Sequence, residues 1–167
     1  MWQQTVYTAA DLNAAGITAG TITGISYIVQ ALGSSATVTD LKVRIGTTAN
    51  TTLSAFTTTG LTLVYSAASY TTVVGTNTIT FNTPFVWDGT SNLIIDMRNT
   101  GIDSSNNTTT EFSTTTGNSA VSAVTSTLAA SSDAFALTNP TPTASTTRLN
   151  VIFTVSVPTT LSWSPST

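Results

Sequence analysis

Apolar and polar residues alternate one by one along much of this chain. Ile25, Tyr27, Val29 and Ala31 interleave with Ser26, Ile28 and Gln30, and Leu41, Val43 and Ile45 with Asp40, Lys42 and Arg44. Ile79 and Phe81 alternate with Thr78, Thr80 and Asn82, and Leu93, Ile95 and Met97 with Ile94, Asp96 and Arg98. Near the end, Leu149, Val151, Phe153 and Val155 alternate with Arg148, Asn150, Ile152 and Thr154. A period of two sends one set of side chains into a core and the other to the opposite face of an extended strand. An amphipathic helix would instead repeat its apolar positions about every 3.6 residues. Threonine, dense in runs such as Thr57-Thr58-Thr59 and Thr108-Thr109-Thr110, suits the water-facing side: its branched Cβ fits the pleat and its hydroxyl fits solvent.

Turn chemistry divides these stretches. Gly33-Ser34-Ser35, Gly75-Thr76-Asn77 and Asp88-Gly89-Thr90-Ser91-Asn92 stand between them, each rich in residues that accept turn geometry. Short strands between such turns predict an all-β fold, an antiparallel β-sandwich of jelly-roll-like form. One short helical turn is expected near residues 9–15, with Thr8 as its N-cap and Gly16 as its stop. Between residues 101 and 147 the alternation weakens, and two or three weaker strands joined by long loops are expected. Loops of that kind carry recognition or are tolerated surface insertions. Pro158 ends the last strand. Residues 1–157 therefore read as one sandwich module, and 158–167, with Trp163, as a linker or the start of a following module.

Composition narrows the function classes. The 167 residues include four Lys and Arg, seven Asp and Glu, and neither His nor Cys. Imidazole and thiolate are the commonest groups for proton transfer, nucleophilic attack and transition-metal binding, so the chain is expected not to be an enzyme. A net charge of −3 with so few cations argues against nucleic acid as a partner. No apolar run approaches the ~20 residues of a membrane-spanning helix, so direct membrane insertion is not expected. Residues 1–4 lack the basic start and apolar stretch of a signal peptide, which fits a chain retained inside or a piece of a longer secreted one.

Several motifs in order carry a resemblance. They are Val6-Tyr7-Thr8-Ala9-Ala10-Asp11-Leu12-Asn13, Leu41-Lys42-Val43-Arg44-Ile45-Gly46, Gly60-Leu61-Thr62-Leu63-Val64-Tyr65 and Arg148-Leu149-Asn150-Val151-Ile152-Phe153. The most specific is Pro84-Phe85-Val86-Trp87-Asp88-Gly89-Thr90-Ser91-Asn92-Leu93. Over residues 5–155 the chain resembles a β-sandwich module of large secreted Bacteroidetes proteins, cargo of type IX secretion that includes adhesins. The resemblance implies an extracellular, cell-surface setting and a signal peptide upstream; it supplies no active site to transfer.

Candidate sites are few. Asp88 and Asn92 offer two oxygen ligands for calcium, which takes six to eight oxygens; the same Asp-Gly sequence also builds a hairpin turn, with the carboxylate bonding backbone amides. Asp103, Asn106 and Asn107 form a second oxygen-rich loop without the spacing of a calcium-binding loop. Tyr70, between Ser69 and Thr71, is the ring expected to be exposed and to stack on a sugar, whereas Tyr27 and Trp87 fall in strand register and are expected in the core. Glu111 is the only Glu, and Asp96 its one candidate partner for glycosidase chemistry; Asp96 is better read as part of a solvated ion cluster with Lys42, Arg44, Arg98 and Arg148. A serine nucleophile finds no base, and the Thr runs lack the fixed period of an ice-binding face.

These expectations converge on a non-catalytic structural or adhesion module with neighbouring domains of the same chain as partners. The alternative is a carbohydrate-binding module that holds surface glycans on exposed rings. Self-association through weakly charged strand edges is a third reading. No cofactor beyond calcium is expected.

Overall fold

A computed structural model describes residues 1–101, 108–124, 134–135 and 140–156. In chain order it contains β1 (Trp2–Tyr7), α1 (Ala9–Ala14), β2 (Gly20–Ala31), β3 (Thr37–Thr48), β4 (Thr62–Thr71), β5 (Gly75–Trp87) and β6 (Asn92–Thr100). Short strands follow: β7 (Thr109–Thr110), β8 (Phe112–Thr114), β9 (Ala120–Ala123), β10 (Thr143–Ser145) and β11 (Thr147–Leu149), and then β12 (Ile152–Ser156). One sheet runs β10-β9-β1-β6-β3-β4, the other β12-β2-β5 with β7 on the end of β2, and β8 and β11 form a separate ribbon. Every pairing is antiparallel. The fold is an all-β sandwich. Where two or three weaker strands were expected in 101–147, the described residues hold four short ones, β7 to β10, and the tail from 158 to 167 lies outside the described residues.

The core lies where the alternation placed it. Ile22, Ile25, Tyr27, Val29, Ile79, Phe81 and Trp87 of one sheet meet Leu41, Val43, Ile45, Val64, Leu93 and Ile95 of the other. Each such side chain taken fully out of water contributes roughly 1.5–3 kcal/mol before entropy is subtracted. The stretches around Ile79 and Trp87 form a single strand. Its ladder with β2 slips between Ile22, opposite Phe85, and Gly24, opposite Thr80. Pro84 falls in that slip, where no ladder N–H is required of it.

Helix α1 closes one end of the sandwich through Leu12, which is buried in the core. The Thr8 hydroxyl accepts from the Asp11 N–H at 3.1 Å, as its N-cap position predicts. The C-terminus is a Schellman motif: Gly16 N–H donates to the Asn13 carbonyl and Ile17 N–H to that of Leu12. Gly16 takes φ +81° there, a left-handed conformation costly to residues with a Cβ.

The larger sheet departs from the one-face expectation. Its outer side is also covered: Val6, Ile94 and Val121 are buried with Leu53, and Phe56 and Leu61 pack against them. The cover is the segment between β3 and β4. It lies so close that a Cβ on Gly46 would sit 2.4 Å from the Gly60 carbonyl oxygen. Leu93-Ile94-Ile95 is therefore a run buried on both faces, as strands between two covering layers are.

Candidate functional site

At the end of the sandwich opposite the β5–β6 turn, the two sheets part around a cavity of about 270 Å³. Tyr27 of β2, Val38 and Leu41 of β3, Tyr70 of β4, and Met97 and Asn99 of β6 form its walls. Period-two geometry on β6 brings Met97 and Asn99 to the same inner face as Leu93 and Ile95. Tyr70, expected as an exposed ring, is half-buried in this wall. Burial and the neighbouring phenols Tyr27 and Tyr65 push its hydroxyl up. Burial does the same to Tyr27, against the Thr72 and Tyr70 hydroxyls. Both phenols therefore stay protonated.

Asp88 and Asn92 share the β5–β6 turn but point their oxygens at different partners. Asp88 Oδ1 accepts from the N–H of Thr90 at 2.8 Å and of Ser91 at 2.7 Å, while Oδ2 accepts from the Ser91 hydroxyl at 2.6 Å. Asn92 Oδ1 accepts from Ala9 N–H at 2.9 Å, and its Nδ2 donates to the Asn50 carbonyl at 3.0 Å. The Asp88 carboxylate thus organises the turn, and Asn92 ties it to α1 and to the β3–β4 segment. Trp87 Nε1 donates to the Ser91 carbonyl at 2.8 Å, fixing the same turn from the core side. Asp103, Asn106 and Asn107 lie outside the described residues, as does Trp163.

The charged residues do cluster, yet not in solvent. Asp96 has a side chain 0% exposed. Its Oδ1 accepts from Trp2 Nε1 at 2.6 Å and Gln4 Nε2 at 2.7 Å, and its Oδ2 from Arg44 Nε at 2.8 Å and Arg98 Nε at 3.3 Å. The Trp2 ring stacks on Phe56 at 3.8 Å, with the Arg98 guanidinium 3.4 Å from its centroid. Phe135 lies 5.0 Å from each of Lys42, Arg44 and Arg98. The solvated cluster expected from the sequence is thereby corrected. Phe56 and Phe135 come from distant segments and roof it over. Arg148 is elsewhere, 2.7 Å from Asp11. Burial brings Arg98 down to about 10 against the attraction of Asp96, so it remains a cation at neutral pH. Residues acting as hub ligands, Trp2 and Gln4, carried no motif; their register opposite Arg98 and Asp96 emerges only from strand pairing.

The carboxylates set an acid response. The Ser91 hydroxyl and the Ser91 and Thr90 amides hold Asp88 well below the usual carboxylate range. Arg148 and Thr8 lower Asp11. Burial raises Asp40, but Lys42 and the Ala134 N–H outweigh it and the net direction is down. Groups depressed in the folded state stabilise it fully above their unfolded values, near pH 4. That contribution is lost as pH falls through the lower folded values. Urea unfolding between pH 7 and pH 2 is expected to show a steady midpoint down to about 4 and a fall below it; a midpoint that rises on acidification contradicts the assignment.

Compared with known proteins, the chain gives no match: no family model, no curated protein and no solved structure matches it.

Proposed function

We propose that this chain is a non-catalytic structural and adhesion module of a large extracellular protein on a bacterial surface, joined to neighbouring domains of the same chain. The observation that carries the reading is the use of the aromatic rings. Trp2, Tyr7, Tyr27, Phe81 and Trp87 are buried, and among the described residues Phe112 is the one aromatic side chain in the exposed class. A glycan platform needs rings presented to solvent, with apolar sugar faces stacked on them; here the rings serve packing. Two further features support the reading. The chain lacks His and Cys, and the carboxylates of Asp11, Asp40, Asp88 and Asp96 hold the fold together. Strand β1 is hydrogen-bonded on both edges, to β6 and β9, so it cannot peel away without breaking two ladders, as suits a unit that transmits tension.

A glycan array probed with the purified chain tests this. The expected result is no saturable binding, together with one cooperative unfolding transition seen alike by circular dichroism and tryptophan fluorescence. Saturable glycan binding that Tyr70→Ala or Phe112→Ala abolishes would overturn the reading in favour of a carbohydrate-binding module.

A further inference from the structure

The two sheets end in β10, β4, β12 and β5, and three of these open edges are short or interrupted. β10 has three residues and β12 five. The β4 ladder slips between Val43 and Arg44, and the Ser66 N–H on its open side is taken by Asn82 Oδ1 at 3.1 Å. From 75 to 80, β5 has none of these protections. That stretch holds no charged residue and no proline, and its ladder with β2 runs without a slip. Among the described residues it pairs with β2 alone. An uncharged, uninterrupted edge of this kind is a template for another strand.

The direction of the edge groups follows from β2. The Ile28 carbonyl accepts from the Glu111 N–H, so Ile28 points away from β5. Tyr27 and Val29 therefore point toward it, opposite Asn77 and Gly75. Backbone groups alternate sides along a strand, and Thr76, Thr78 and Thr80 turn theirs to the open edge. Their side chains are exposed, while Asn77 and Ile79 between them are buried. We propose that this edge binds a second copy of the chain, β5 against β5, antiparallel about a two-fold axis at Thr78. The edge is its own complement: Thr78 faces Thr78 of the other copy and Thr76 faces Thr80, each pair exchanging both backbone hydrogen bonds. Every outward pair is threonine on threonine, with no like charges to repel. The chain already uses hydroxyl contacts across its ladders, Ser26 to Thr78 at 2.9 Å, Thr37 to Thr71 at 3.0 Å and Thr39 to Thr100 at 2.7 Å. Val73 and Val74, exposed at the adjoining turn, add an apolar shoulder at one end of the edge. The pairing needs only this strand and stands apart from the surface role proposed above.

Sedimentation equilibrium of the purified chain at rising concentration, with amide hydrogen exchange read by NMR, tests the pairing. One strand edge makes a small interface, so a dimer is expected with a dissociation constant between about 10 μM and 1 mM. As the dimer fills, exchange should slow at the amides of Thr76, Thr78 and Thr80. Thr78→Lys and Thr78→Glu each set like charges across the axis and should weaken the dimer about fivefold. An equimolar mixture of the two variants sets opposite charges there and should associate more tightly than either alone. A natural chain that stays monomeric at about 1 mM overturns the proposal. So does association that Thr78→Lys leaves unchanged, a mixture no tighter than its components, or slowed exchange that maps to β4 or β12 instead. Should the variants not fold, the natural chain decides alone: Thr76, Thr78 and Thr80 amides whose exchange does not slow with concentration overturn it.

Discussion

Asp96→Leu is expected to destabilise the chain by roughly 3–5 kcal/mol, the usual consequence of removing one partner from a buried ion pair. The carboxylate is fully buried and receives four donors, from Trp2, Gln4, Arg44 and Arg98. Leucine would leave two guanidinium groups facing each other with the charge between them gone, and would unpair the Trp2 and Gln4 N–H groups as well. Asp96→Asn keeps an acceptor for Trp2 and Gln4 but loses the charge and turns the atom facing Arg44 and Arg98 into an NH2 donor, so its cost should be smaller only by the Trp2 and Gln4 bonds it keeps. Replacing Asp96, Arg44 and Arg98 together by apolar residues of similar volume should recover much of the loss, because the desolvation of the charges disappears with them. Urea denaturation gives all three values. A solvated pair is worth at most about 1 kcal/mol; a loss of that size for Asp96→Leu would contradict the buried hub.

The alternation in the sequence makes the two sheets legible, since each strand needs only its own residues to define an apolar face. Turn residues and the Thr8 and Gly16 caps are legible for the same reason: their chemistry acts within a few positions. Which faces become covered is not a local property. Period two separates the faces of β6 without saying that Phe56 and Phe135 will close over the one bearing Asp96 and Arg98. The trace of that cover was Ile94, an apolar residue on the nominally polar side. Polar neighbours at Ser69 and Thr71 suggested that Tyr70 projects into solvent. It instead lines a cavity built from β2, β3, β4 and β6, a convergence that no single segment encodes. Asn99 had no signal beyond the break it makes in the apolar register of Leu93, Ile95 and Met97.

The second large effect is expected at Trp87, where the structural and glycan-binding readings part. Trp87 is 1% exposed in the main core, and its indole N–H holds the Ser91 carbonyl at 2.8 Å. Trp87→Ala should therefore cost about 3–5 kcal/mol, the range for truncating a large buried aromatic, because the surrounding core relaxes only partly into the space left. The Ser91 carbonyl would also lose its donor at the turn that the Asp88 carboxylate organises. Trp87→Phe keeps most of the volume and should cost less, with the lost hydrogen bond as the main term, about 1 kcal/mol. Circular dichroism is the appropriate probe, since the substitution removes a tryptophan from the fluorescence signal. A ring serving as a ligand platform would behave oppositely: an exposed aromatic can be truncated with a stability change within about 0.5 kcal/mol, and only binding would suffer. An alanine variant as stable as the natural chain would thus remove Trp87 from the core and restore the glycan reading; a loss of several kcal/mol would assign its ring to packing.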